Sequence, residues 1–188
     1  MRIDDSRPFL SARIGVLTVS DTRTTDDDRS GDMLVERIEA AGHTVAHRAI
    51  VTDERAGIAA QLRAWIADPE VDVVISTGGT GLTGRDVTVE AHRDVYEKEI
   101  EAFATLFTMI SVQKIGTSAI QSRACGGVAG GTYLFALPGS PSACRDGWDE
   151  ILAPGSYDIS VFQQVDIWSL EPCFFHQVAV VGNQDNRR

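Results

Sequence analysis

The chain has 188 residues, 43% of them hydrophobic and 23% charged, which excludes collagen-like, mucin-like and wholly disordered classes and fits one domain that buries roughly 70% of its unfolded surface. Seventeen Lys and Arg against twenty-seven Asp and Glu leave a net charge of −10. That is the wrong sign for neutralising a nucleic-acid backbone, so no nucleic-acid partner is expected, and any anionic ligand must be held by backbone N–H groups, a few placed arginines or a metal ion.

Residues 1–12 read as a polar lead-in, residues 13–154 as a single α/β domain and residues 155–188 as an extension. Ile14 to Val19 reads as a buried strand, followed by a turn-rich stretch from Ser20 to Gly31. Met33 to Ala41 carries apolar residues at helical spacing, with Asp28 or Ser30 able to cap its start and Gly42 placed to end it. Thr44 to Val51 alternates as a second strand, and Ile58, Leu62, Trp65 and Ile66 stripe a second helix that stops before Pro69. The run from Val71 to Ser76 is apolar and β-branched, as a central parallel strand covered on both faces would be. Strand and helix thus alternate, and a three-layer α/β/α sandwich with a mostly parallel sheet is expected.

Further on, Ile100, Phe103, Leu106, Phe107 and Ile110 mark a longer helix suited to a core or subunit contact. Ser122 to Val128 and Thr132 to Leu137 form two strands around a Gly130-Gly131 turn, and Pro138-Gly139-Ser140-Pro141-Ser142 opens a last helix through Trp148 and Leu152. The extension reads as an arm that packs on the domain or on another subunit, with a polar tail expected to be disordered. Cys125, Cys144 and Cys173 form no Cys-x-x-Cys pair, no signal peptide opens the chain, and no uncharged run reaches the ~18 residues of a membrane span. No membrane association and a cytoplasmic location are therefore expected.

The most informative segment, Ser76 to Thr88 (STGGTGLTGRDVT), begins at the carboxyl end of the expected central strand, where open α/β sheets bind ligands. Gly78, Gly79 and Gly81 can take positive φ and bring backbone N–H groups against a phosphate. Gly79, Gly81 and Gly84 also fit a dinucleotide-binding fingerprint, but that fingerprint belongs to a first βαβ unit, and no Gly-Lys-Ser/Thr marks a Walker loop. Asp86 beside such a cradle either shares a divalent metal with the ligand or caps the next helix, which Thr88 could also do. Asp53 follows the second strand and Ser20-Asp21 the first, which puts all three strand ends at one sheet edge, although Asp53 could equally be an N-cap. The Asp26 to Asp28 run reads as a solvated loop. The second glycine loop, Pro138-Gly139-Ser140, again joins a strand to a helix, and Arg123 could complete the pocket. The histidines lack metal-ligand spacing, no nucleophile elbow is present, and Cys125 and Cys144 read as small buried residues.

In order, VSDTR at 19–23, DRSG at 28–31, the 76–88 block, IGTSAIQSRA at 115–124 and FALPGSPSAC at 135–144 resemble the molybdenum cofactor biosynthesis family of molybdopterin adenylyltransferases and B proteins, over about Arg13 to Pro154. The Ser122-Arg123-Ala124 and Ala143-Cys144 details and the Glu171–His176 end lean toward the B-protein branch. The resemblance implies a trimer or hexamer that binds molybdopterin and ATP and, with Mg²⁺, transfers AMP to molybdopterin, giving adenylyl-molybdopterin and pyrophosphate for a downstream metal-insertion enzyme. By motif position Asp53 and Asp86 carry over as catalytic carboxylates and candidate Mg²⁺ ligands. Thr77, Gly78, Gly79, Thr80, Gly81, Pro138, Gly139 and Ser140 carry over as the ligand cradle, with Ser20, Asp21, Ser118 and Arg123 as further binding candidates. The competing readings are a non-catalytic molybdopterin-binding or carrier protein and, less well matched in its loop, a nucleotide pyrophosphatase.

Overall fold

The computed structural model describes residues 11–153. The lead-in before residue 11 and the expected arm and tail beyond residue 153 lie outside them. Six strands are built: β1 (Arg13–Val19), β2 (Thr44–Val51), β3 (Val73–Thr77), β4 (Lys98–Glu99), β5 (Cys125–Ala129) and β6 (Thr132–Leu137). They form one sheet in the order β2-β1-β3-β6-β5-β4, parallel from β2 through β6, with β5 antiparallel to both its neighbours. Helices α1 (Arg29–Ala40), α2 (Arg55–Ile66), α3 (Thr88–Arg93), α4 (Glu101–Ile115) and α5 (Pro141–Gly147) cover it.

The period-two alternation of the strands divides the core between the two faces. Ile14, Val16, Val73, Ile75 and Phe135 pack with Leu34 and Ile38 of α1, Phe103 and Phe107 of α4 and Trp148 beyond α5. Leu17, Val19, Val74 and Leu134 pack with Ile58, Leu62 and Trp65 of α2 and Ala91 of α3. The result is the expected three-layer sandwich. Gly130 and Gly131, at φ 57° and 84°, supply the two positive-φ residues that a tight hairpin between β5 and β6 requires.

Several boundaries differ from expectation. α1 begins four residues before Met33, because Asp28 caps it by accepting the Gly31 N–H at 3.0 Å. Asp28 is therefore no part of a solvated loop. It is fully buried and accepts further hydrogen bonds from Thr18 Oγ1 at 2.7 Å and Arg48 Nη2 at 2.9 Å. Those donors outweigh the burial that pushes the carboxyl up, and hold it below the usual carboxylate range. β3 and β5 begin at Val73 and Cys125, later than the apolar runs suggest. Glu97 donates its N–H to Val128 O at 2.9 Å, which leads into the short strand β4. The last helix passes into a π turn over Trp148–Leu152. Of the α4 stripe, Phe103 and Phe107 are buried and Ile100, Leu106 and Ile110 pack partly against them, while Met109, Val112 and Ile115 face outward.

Candidate functional site

Parallel strands deliver the chain to one edge of the sheet each time it leaves β1, β2, β3 or β6. From β1 the chain winds to β2 on one side and then crosses to β3 on the other, so the β1/β3 boundary is the switch point at which open sheets form a ligand crevice. Two glycine loops meet there. Gly78 N–H donates to Leu137 O at 3.1 Å, Thr77 Oγ1 donates to Pro138 O at 3.0 Å, and a Cβ on Gly139 would stand 3.1 Å from Gly78 Cα.

The glycines in the first loop have different reasons to be glycine. Gly78 has φ 101° and a Cβ there would come within 2.2 Å of Val19 O; Gly79 has φ 61° and its Cβ would meet Thr88 Oγ1 at 2.4 Å and Asp53 Oδ1 at 2.6 Å. Gly81 does not adopt the expected positive φ; its constraint is the Asp86 carboxylate, 2.7 Å from where a Cβ would be. A Cβ on Gly84 would meet nothing within 4 Å, so the third glycine of the apparent dinucleotide fingerprint has no steric purpose.

Asp21, Asp53 and Asp86 converge on this loop. Asp86 accepts from Thr83 N–H at 2.8 Å and Thr83 Oγ1 at 2.6 Å. These bonds, the Gly81 N–H and Arg123 keep its carboxyl below the usual range against partial burial. Asp53 N–H donates to Asp21 Oδ1 at 3.1 Å, and Asp21 is ion-paired with Arg85. Burial first, and then the negative charge of Asp21 with a contribution from Asp86, pushes the Asp53 carboxyl up; the Asp21 N–H and Arg85 do not compensate. Neither Asp53 nor Asp86 is an N-cap. The caps of α2 and α3 are Glu54 and Val87, and Thr88, the first residue of α3, donates its hydroxyl to Gly78 O at 2.8 Å instead of capping.

Among the described residues no group of three His, Cys, Asp or Glu could hold a metal ion alone. Mg²⁺ does not need one, since it is normally held by one or two carboxylates together with substrate phosphates and water. Burial first and then like-charge crowding raise Asp53, and a shared cation offsets both, so Asp53 and Asp86 fit such a role.

Arg123 is turned to the loop itself. Its Nε donates to Thr80 O at 2.9 Å and Gly81 O at 3.0 Å, Nη2 to Asp86 O at 3.1 Å, and Nη1 to Glu90 at 2.5 Å. It braces the cradle from behind, and with so many donors engaged it is a positioning residue. Thr80 is buried. Ser20 Oγ accepts the Thr22 and Arg23 N–H groups, each at 3.2 Å, and Ser140 Oγ caps α5 through the Ala143 N–H at 3.2 Å, so both hydroxyls shape loops. Ser118 lies exposed on the 3₁₀ turn Gly116–Gln121, and among the described residues no hydrogen bond joins it to this network.

Thr83 and Glu90, which hold Asp86 and Arg123, were not singled out from sequence, and Thr88, which holds Gly78, was read only as a helix cap; only the three-residue spacing of Thr83 and Asp86 hinted at one of these contacts. Behind β3, His92 Nε2 is 2.8 Å from Ser76 Oγ and its Nδ1 is 3.0 Å from Tyr96 Oη. Complete burial pushes the imidazole down to about 3, so it is neutral and ties α3 to the strand that carries the glycine loop. Cys125 and Cys144 are buried and free, with burial pushing both thiols up to about 11.

Comparison with known proteins shows the family and the fold. Residues 15–155 match the family described as "Probable molybdopterin binding domain". The molybdenum cofactor biosynthesis protein B of Escherichia coli (strain K12) is 46% identical over 171 residues, 91% of this chain and 95% of that protein. The protein of the same name from Bacillus anthracis is 44% identical over 143 residues, 76% of this chain and 85% of its own. A crystal structure of a molybdenum cofactor biosynthesis protein B superposes with a TM-score of 0.76 at 41% identity, covering 78% of this chain and 92% of that one. No helix among the described residues is long and apolar enough to cross a membrane.

Proposed function

The chain belongs to the molybdenum cofactor biosynthesis family, that of the probable molybdopterin-binding domain, and from that premise we propose that it transfers AMP from ATP to the terminal phosphate of molybdopterin with Mg²⁺, releasing pyrophosphate. The observation that supports this reading best is the convergence of Asp53 and Asp86 on a glycine loop in which the Gly79 and Thr80 N–H groups are not spent within the described residues. In the reaction a phosphate oxygen of molybdopterin attacks the α-phosphorus of ATP. The new P–O bond forms as the α–β bridging bond breaks, and pyrophosphate leaves.

A terminal phosphate is already anionic at neutral pH, with a second pKa of ~6, so no general base is required. The demand is to hold two polyanions in line, which is a matter of positioning and charge neutralisation. Bound Mg²⁺ supplies neutralisation. The chain supplies the rest: Gly79 and Thr80 bring N–H groups to phosphate, those of Gly78 and Gly81 being spent on Leu137 O and the Asp86 carboxylate, Asp86 and Asp53 would hold the cation and its water, and Arg123 fixes the loop that carries Asp86. The acidic surface is compatible because attraction is local.

A homo-oligomer is part of this reading. Among the described residues Val112 at 51%, Ile115 at 53%, Met109 at 56% and Ile120 at 76% exposure present apolar side chains on α4 and the following turn, which a subunit contact would cover; sedimentation of the full chain tests it. The activity is tested by mass spectrometry of adenylyl-molybdopterin after mixing protein, molybdopterin, ATP and Mg²⁺, alongside Asp86→Ala. Product from the parent and not from the variant is expected. No product from a folded parent that binds molybdopterin would overturn the transferase reading and leave a carrier.

A further inference from the structure

Every carbonyl of the glycine loop from Gly78 to Gly81 is taken up by α3 or by a side chain that α3 holds. Thr88 Oγ1 donates to Gly78 O at 2.8 Å, and the Thr88 N–H donates to Gly79 O at 2.9 Å. Arg123 Nε reaches Thr80 O at 2.9 Å and Gly81 O at 3.0 Å, and its guanidinium is clamped by Glu90 of α3 at 2.5 and 3.2 Å.

Peptide geometry converts this set of acceptors into an orientation of donors. No peptide bond among the described residues is cis, and in a trans peptide plane the C=O of one residue points opposite to the N–H of the next. With Gly78 O and Gly79 O both drawn to Thr88, the N–H groups of Gly79 and Thr80 are turned away from α3. Neither meets an acceptor among the described residues.

α3 has only six residues, Thr88–Arg93, too few to hold an orientation by its own hydrogen bonds. Its far end is fixed by the fully buried His92, whose Nε2 is 2.8 Å from Ser76 Oγ, two residues ahead of Gly78, and whose Nδ1 is 3.0 Å from Tyr96 Oη. The Tyr96 hydroxyl donates onward to Cys125 Sγ at 3.3 Å and Leu134 O at 3.5 Å. A neutral imidazole has one N–H, so Nδ1 donates to Tyr96 and Nε2 accepts from Ser76. The chain of hydrogen bonds thus runs from β3 through His92 and Tyr96 to β5 and β6, and each hydrogen in it has an acceptor.

We propose that Thr88 and His92 are positioning residues for phosphate binding. Thr88 sets the two peptide planes that aim the Gly79 and Thr80 N–H groups at the ligand, and His92 locks α3, and with it Thr88, against β3. The proposal rests on the reading that the glycine loop holds substrate phosphates, and adds to it residues that touch no substrate themselves.

The test uses the full chain, with inorganic triphosphate and Mg²⁺ as the probe, so that it does not depend on turnover of molybdopterin. Thr88→Val keeps the shape and loses the hydroxyl donor, Thr88→Ser keeps the donor, and His92→Leu keeps apolar bulk and breaks the chain of hydrogen bonds; folding of each is checked by circular dichroism. Calorimetry should show triphosphate binding weakened about fivefold or more in Thr88→Val and His92→Leu, with Thr88→Ser within about twofold of the parent. In amide NMR spectra triphosphate should shift Gly79 and Thr80 in the parent, and both shifts should shrink in Thr88→Val. Parent-like triphosphate affinity in the folded variants, whatever their stability, overturns the proposal, and so does a Thr88→Ser as weak as Thr88→Val. If Thr88→Val does not fold, His92→Leu carries the same comparison. A parent that binds triphosphate through these two amides and yields no adenylyl-molybdopterin refutes the transferase reading while the positioning role stands; a parent that binds no triphosphate overturns the positioning role.

Discussion

Replacing Arg48 by Leu removes the only cation bonded to Asp28 among the described residues, from a carboxylate with no solvent exposure. Stripping one partner from a buried pair costs about 3–5 kcal/mol. The Arg48 side chain is 27% exposed, and Thr18 and Gly31 still donate to the carboxylate, so the lower end, ~3 kcal/mol, is expected at pH 7. That is a large part of a typical stability of ~5–15 kcal/mol. It should appear as a lower urea midpoint with an unchanged slope.

The pH dependence has a definite sign. In the parent the carboxyl pKa is depressed, so its contribution is present above the unfolded value of 3.8 and lost as pH falls through the lower folded value. Without Arg48, burial dominates and the folded pKa rises above the unfolded one. The penalty is then full at neutral pH and shrinks on acidification as Asp28 takes up a proton. Adding Asp28→Asn removes the stranded charge and should restore ~2 of the ~3 kcal/mol. A single variant that loses less than ~1 kcal/mol, or a double variant as unstable as the single one, would refute the reasoning.

Three further outcomes are expected. Gly79→Ala meets both a positive φ and two close oxygens and should cost ~2–4 kcal/mol in thermal or urea unfolding, whereas Gly84→Ala, with open space around it, should change stability by no more than ~0.5 kcal/mol; equal effects would sink the steric argument. Arg123→Gln should lower AMP transfer by ~10–100-fold through displacement of the Asp86 loop, and Arg123→Lys should not restore it, because a point charge cannot reproduce the fork that serves Thr80, Gly81, Asp86 and Glu90. His92, held neutral with a pKa of about 3, stabilises the fold fully above its unfolded value of 6.5, and this is lost progressively as pH falls toward 3; the melting temperature should drop between pH 7 and pH 5, and His92→Gln should flatten that slope.

The sheet and its order of elements were readable because β3 is uninterrupted apolar sequence and the helices repeat at 3.6-residue spacing; the glycine loops were readable because only glycine fits a positive φ beside Val19 O or a carboxylate. Contacts between distant residues were not. Asp28 looks like part of a solvated acidic run until Thr18 and Arg48, from two different strands, are brought to it. Arg123 lies 37 residues beyond Asp86 in the chain, and nothing local indicates that it faces the loop backbone instead of solvent. The N-cap alternatives for Asp53 and Asp86 fell for a similar reason, because the choice between a cap and the cluster depends on where Gly79 and Gly81 place their backbone.

The pairing of β3 with β6 also matters while the chain is being made. Val73 lies beside Tyr133 and Thr77 beside Leu137, so the innermost strand waits for a neighbour encoded 60 residues later. At ~5–20 residues per second of synthesis this is a delay of roughly 3–12 s. Throughout it Val73 to Thr77 has one unpaired edge and an apolar surface, the combination most prone to pairing with another nascent chain. The half of the crevice that contains Pro138 and Gly139 is absent for the same interval, so ligand cannot protect the early strands, and yield should depend on how quickly β6 docks after it leaves the ribosome.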